Sequence, residues 1–171
     1  MIKIPSILFQ SFKLIGICLI VLNSFTIYAQ KVPKEEKKLL KKARKNLANE
    51  KYNEAKLNYA DLVKLSPTND QYNFEAGLSY YFSDFERTKS IPYFEKALEN
   101  SKEDTIPELQ YYLGKAYQLN SDFEKSKQTL TDFTDFIAKN KKPGQLLLKE
   151  TNKNIALSEN GIEYSNEKDN N

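Results

Sequence analysis

The chain has 171 residues, 29% of them charged and 40% hydrophobic, which fits one globular domain. It contains no histidine and one cysteine, Cys18, and it carries 26 cationic side chains against 23 acidic ones. With no histidine, and with its one thiol in a segment expected to be removed, the chain lacks the groups for imidazole general-base catalysis, thiol nucleophiles and ordinary zinc sites.

Residues 1–29 hold Lys3 and Lys13, no acid, and the unbroken apolar run Leu14–Leu22; Ser24 and Thr26 then dilute the apolar character before Ile27-Tyr28-Ala29. This is the pattern of a secretory signal peptide, with cleavage expected near Ala29–Gln30. A membrane-spanning helix takes about 20 apolar residues, and the stretch after Lys13 is too short and too diluted for that, so cleavage is expected over retention as an anchor. Ile17 precedes Cys18, where a lipid-attachment signal wants a small residue. Without Lys3 and Lys13 the balance is 24 against 23, so the mature chain is nearly neutral.

Residues 30–34 read as a linker containing Pro33. A first helix is expected over 35–50, with Leu39, Ala43 and Leu47 on its apolar stripe and Lys37, Lys38, Lys41, Lys42 and Lys45 elsewhere. Those lysines read first as the solvated outer face of a terminal unit, and second as a contact for anionic headgroups. A second helix is expected over 52–65, broken by Ser66-Pro67-Thr68-Asn69. Asn69 or Asp70 caps a third helix that runs to about Tyr81. Pro92 is acceptable in a fourth helix that starts near Thr88, because a first-turn residue needs no N–H. After a polar loop over 100–106, Pro107 suits the first turn of a fifth helix, whose inner face is Leu109, Tyr112, Leu113, Ala116 and Tyr117. Gly114 inside that helix costs about 1 kcal/mol against alanine, which points to another helix pressing on it. Ser121 with Glu124 is a capping-box pair, starting a sixth helix with Ser126, Leu130, Phe133 and Ile137 inward. Pro143-Gly144 breaks the chain again, and a seventh helix over 145–163 repeats Leu148, Ile155 and Ile162. A polar tail, 164–171, is expected to fray.

The helices repeat. Gly77 lies 37 residues before Gly114, and Ala43 lies 34 before Gly77. Tyr80 recurs as Tyr117. Second helices open on Ala55, Ser90 and Ser126, continue with Tyr59, Phe94 and Leu130, and then with Leu62, Ala97 and Phe133. On these positions residues 35–140 resemble the tetratricopeptide repeat, whose period is about 34. The resemblance implies an all-α solenoid: a domain over 35–163 with repeats at about 36–69, 70–104 and 107–140 and a C-terminal capping helix. It departs from the pattern at Asn46, where an aromatic is usual, at one extra residue in the turn Ser83–Arg87, and at Thr105 and Ile106.

No glycine-rich phosphate loop is present, and no paired carboxylates are placed to converge in a cleft, so the expectation is a non-enzyme with no catalytic residues, cofactor or metal. Lysines alternate with acids, which speaks against nucleic acid. The resemblance instead implies a groove along the first helix of each pair, presenting Leu40, Arg44, Leu47, Phe74, Leu78, Tyr81, Tyr111, Lys115 and Gln118 to a protein or peptide. For Phe74, Tyr81 and Tyr111, packing between helices is the competing reading. Leu78 stands where chaperone-tail adaptors of this family need asparagine. The run Tyr72–Leu98 and the run Tyr111–Ser126, through Ile91-Pro92-Tyr93 and Leu113-Gly114-Lys115-Ala116-Tyr117, further resemble the N-terminal repeat domain of bacterial envelope proteins. Those proteins continue into a β-propeller and an OmpA-like domain, and some serve secretion machinery; only the repeat module and its export carry over. The expectation is a periplasmic scaffold for protein–protein interaction, with outer-membrane association a further expectation. The alternatives are a tether through an uncleaved N-terminus and the regulatory subunit of an enzyme.

Overall fold

The structure, a computed structural model, describes residues 33–101, 106–140 and 145–169. The expected signal peptide, its cleavage point, Cys18, most of the linker and Pro143-Gly144 lie outside the described residues. Seven α-helices are described: α1 (Lys34–Ala48), α2 (Tyr52–Leu65), α3 (Asp70–Tyr81), α4 (Ser90–Asn100), α5 (Leu109–Leu119), α6 (Phe123–Asn140) and α7 (Gln145–Asp169). A 3-10 turn, Arg87–Lys89, precedes α4 and leaves Pro92 in that helix's first turn. Each helix packs against the next, and α3 also meets α5, as α5 meets α7. The fold is thus all-helical, with neighbours paired and every second helix brought together in its second half.

The core keeps that order. Ala43, Ala55, Tyr59 and Leu62 close the first pair together with Tyr72 and Ala76 of α3. Phe74, Tyr81, Phe94 and Ala97 close the second with Leu109, Leu113, Ala116 and Tyr117 of α5. Leu130, Phe133 and Ile137 close the third with Tyr111, under Leu147, Leu148 and Ile155 of α7. Each pair is completed by the helix after it.

Close approach is written into the first helices. A β-carbon at Gly77 would lie 2.5 Å from the Phe94 ring, and one at Gly114 would lie 2.6 Å from Leu130. Gly114 therefore admits α6, its own partner, rather than the preceding pair.

The turns inside the pairs share a device. Glu50, Glu86 and Ser121 each adopt a left-handed backbone, with φ of 57°, 64° and 60°. In the first turn the N–H of Glu50 donates to Leu47 O and that of Lys51 to Asn46 O; in the third, Ser121 donates to Gln118 O and Asp122 to Tyr117 O. This pair of hydrogen bonds is the Schellman ending of a helix. Ser121 is therefore the terminator of α5 and not the N-cap of α6, which overturns the capping-box expectation. Asn69 is the cap of α3, its Oδ1 accepting from Tyr72 N at 2.9 Å.

Two more expectations change. Pro107 lies in the turn before α5, not inside it. The α7 helix runs through Asp169, past the expected end at Glu163, with Ser165 Oγ donating to Gly161 O and a β-carbon at Gly161 meeting the Phe123 ring at 2.6 Å. Its most buried side chains are Thr151, Asn154 and Ser158, while Leu148 and Ile155 sit only half-buried beside them. Each of those polar groups donates to a carbonyl one turn back in α7, so a polar face is covered without orphaned groups.

Candidate interaction surface

The groove residues expected from sequence divide by position in the stack. Arg44 is the most open, with 52% of its side chain exposed, and it is held in place: Nε donates to both Glu75 oxygens, at 3.2 and 3.4 Å. Gln71 Nε2 donates to the same carboxylate at 3.0 Å. Below them the Tyr59 hydroxyl is fully buried and has no hydrogen bond of ordinary geometry, although Glu75 and Arg44 face it. Burial first, and the Glu75 charge second, push that phenol well above its usual range. Nearby, Glu36 accepts from Tyr72 Oη at 3.0 Å and Ser66 Oγ at 3.3 Å. Burial and the bond to Glu36 raise the Tyr72 phenol to about 12, so it stays a donor at neutral pH. Leu40 and Leu47 are half-buried against the first core cluster.

In the middle, Phe74, Tyr81 and Tyr111 are buried and do not form open anchors. The Phe74 ring lies 5.9 Å from that of Phe94 and 6.2 Å from that of Tyr112. Tyr81 meets Tyr112 edge-on at 5.9 Å, and Arg87 lies over Tyr81 at 5.1 Å while its Nε donates to Tyr81 O. Leu78 is half-buried against the same cluster. Inter-helix packing, the competing reading of these aromatics, is what their rings do.

At the C-terminal end α7 covers the rest. Lys115 Nζ lies 2.8 Å from Glu150 Oε1 and 3.2 Å from Tyr111 Oη. Burial alone would lower the Lys115 pKa, but its bonds to Glu150 and Tyr111 outweigh that and hold it above its usual range. The same lysine bond, first, and the Tyr111 bond, second, lower Glu150. Gln118 Nε2 donates to Asn154 O at 2.6 Å and Ser158 Oγ at 2.8 Å. Lys115 and Gln118 are thus committed to α7, two helices further on.

One exposed aromatic edge lies outside the groove expected from sequence. Phe85 is 72% and Phe82 41% exposed, with Tyr52 stacked on Phe82 at 5.4 Å. The extra-residue turn builds it: Ser83 Oγ donates to Phe85 O at 2.6 Å with Tyr80 O 2.9 Å away, Asn53 Nδ2 donates to Asp84, and Glu86 pairs with Lys56 and Lys89. The signal in the sequence was the inserted residue itself, flanked by two phenylalanines. Among the described residues no group of side chains is placed to hold a metal ion, and no helix is long and apolar enough to cross a membrane. No known protein-family model matches the chain, and no curated protein matches it either.

Proposed function

We propose that this chain is an exported, periplasmic scaffold of the tetratricopeptide-repeat type, which holds a protein partner of the cell envelope and performs no catalysis. What supports the repeat reading is recurrence: a small residue of each first helix (Ala43, Gly77, Gly114) shares a core with Tyr59, Phe94 or Leu130 of the second, and a left-handed residue ends each first helix or its turn. Stacked helix pairs of this kind serve binding through extended surfaces. The open part of that surface is Arg44 with its half-buried leucines, and the Phe82–Phe85 edge. Export rests on the charge, apolar run and small residue of the first 29 positions.

The test places a photo-crosslinking residue at position 44 and at position 85 in the full chain, expressed in its own host. The periplasmic form should have the intact mass of a chain starting near Gln30, and one position should give a discrete adduct with an envelope protein. A chain that stays cytoplasmic, or one with no discrete adduct at either position, sinks the reading.

A further inference from the structure

Helix α1 carries six lysines, Lys34, Lys37, Lys38, Lys41, Lys42 and Lys45, and all six are exposed. At 3.6 residues per turn they fall within roughly 140° of the helix circumference, along about 17 Å of its length. None of the six has an ion-pair partner among the described residues. By contrast Lys56, Lys64, Lys89, Lys96, Lys115, Lys125 and Lys127 each reach a carboxylate. Glu36, on the same helix, is turned inward to Tyr72 and Ser66, and Arg44 is bound to Glu75, so neither dilutes nor extends the stripe; the exposed Glu35, at its edge beside Lys38 and Lys42, is the one carboxylate set against the six lysines on this helix.

The charge is segregated as well as unpaired. Residues 34–45 hold seven cations and two carboxylates, whereas residues 46–171 hold sixteen and twenty-one. A nearly neutral chain therefore has one strongly basic helix and a net acidic remainder.

We infer that the lysine stripe of α1 is a docking face for an anionic lipid surface. Two observations favour lipid over an acidic protein. Protein interfaces bind through buried aromatic, apolar or arginine anchors, and the lysine stripe contains none: α1 exposes no large apolar side chain, and Arg44, outside the stripe, pairs with Glu75. Lysine ammoniums are hydrated point charges on flexible stems, suited to an array of headgroups rather than to one bidentate site. The chain also passes through a membrane on the proposed export route, and α1 begins only twelve residues after Leu22, where the apolar run ends. With no apolar face outward, α1 lies on the headgroups and does not insert. Binding is electrostatic and screened by salt. The inference does not depend on the repeat assignment or on a protein partner.

The test uses the chain from Gln30, which contains the whole compact unit Pro33–Asn171. It is sedimented with phosphatidylcholine vesicles, and with vesicles in which about a third of the lipid is phosphatidylglycerol. The wild type should bind only the anionic vesicles, and should release as salt rises from about 0.05 M to 0.5 M. The triple variant Lys38→Glu, Lys41→Glu, Lys45→Glu should lose at least about a hundredfold in partitioning. A second triple, Lys51→Glu, Lys64→Glu, Lys149→Glu, makes the same change in net charge at exposed sites elsewhere; it should lose less than about tenfold. Circular dichroism checks that both variants remain helical. Binding to neutral vesicles, equal losses in the two triples, or an α1 triple that binds like the wild type would overturn the inference. So would a wild type that ignores both vesicles yet binds an acidic polypeptide.

Discussion

Gly77 and Gly161 meet nearly the same neighbour in two unlike parts of the molecule. An added β-carbon would lie 2.5 Å from the Phe94 ring at Gly77 and 2.6 Å from the Phe123 ring at Gly161. Phe94 is fully buried, pressed by Phe74 and by Tyr112 at 6.4 Å, whereas Phe123 is half-buried beside a turn. The middle of the stack is aromatic on aromatic, with Tyr112 touching the rings of Phe74, Tyr81, Phe82, Phe94 and Tyr111. The C-terminal end is hydroxyl on hydroxyl: Ser126 and Ser158 Oγ lie 3.0 Å apart, with Ser158's own proton given to Asn154 O and with Gln118 reaching the same serine. Flat rings in a dense core leave no slack. Small polar groups satisfied on their own helix let α7 approach closely and still give way at its outer edge. One region fixes the fold, and the other covers it.

The largest expected effect comes from removing the cover. Stopping the chain before Gln145 would take Leu147, Leu148 and Ile155 off Tyr111, Phe133 and Ile137, and would leave Lys115 without Glu150 and Gln118 without both its acceptors. Half-burial of three such side chains is worth about 1 kcal/mol each, and the exposed face would promote association. Aggregation, or a clear loss of helicity and melting temperature, is expected by light scattering and circular dichroism. A monomer that melts like the full chain would mean that α7 covers nothing of consequence.

Next in size is the glycine comparison itself. Gly77→Ala should destabilise by about 2–3 kcal/mol, because overpacking a fixed core carries that scale of penalty. Gly161→Ala should cost less: Phe123 must swing as a whole from a contact at its Cγ, but it is half-buried beside a turn, and alanine recovers up to about 1 kcal/mol of helix propensity over glycine. Thermal melts of the two variants rank them directly. The reverse order would show that the end is the rigid part and the middle the compliant one.

Much of the fold was legible from residue spacing. The helix count, the inward face of α6, most of that of α5 and the need for small residues at Ala43, Gly77 and Gly114 all come from apolar periodicity; which helix presses on Gly114 does not, and in the structure it is α6, through Leu130. Helix α7 was harder to read because its buried stripe is Thr151, Asn154 and Ser158, and periodicity counts only apolar residues. The groove was harder still: spacing puts Phe74, Tyr81 and Tyr111 on a face, but whether a neighbour covers that face depends on how closely α3, α5 and α7 approach. Spacing places Arg44 in the groove, but its pairing with Glu75, 31 residues away, is announced by no local pattern. The lysines of α1 are visible in the sequence, whereas their lack of ion-pair partners among the described residues is not.

The smallest expected effect concerns the turns, where the end and the middle differ again. Ser121 ends α5 in a left-handed conformation, with its own N–H bonded to Gln118 O and the next bonded to Tyr117 O. Glycine takes that conformation without the Cβ clash an L-residue suffers, while the extra freedom it gives the unfolded chain offsets part of the gain. Ser121→Gly should therefore stabilise by about 0.5–1 kcal/mol, a rise of about 2–4 °C per kcal/mol in a chain of this size. Glu50→Gly should behave alike, since its turn repeats the same two bonds. Glu86→Gly in the middle should gain less or lose, because Glu86 also pairs with Lys56 and Lys89 and its turn carries the exposed phenylalanines. If all three glycines raise the melting temperature equally, the middle turn is held by backbone geometry alone, and its ion pairs contribute nothing to holding Phe82 and Phe85 outward.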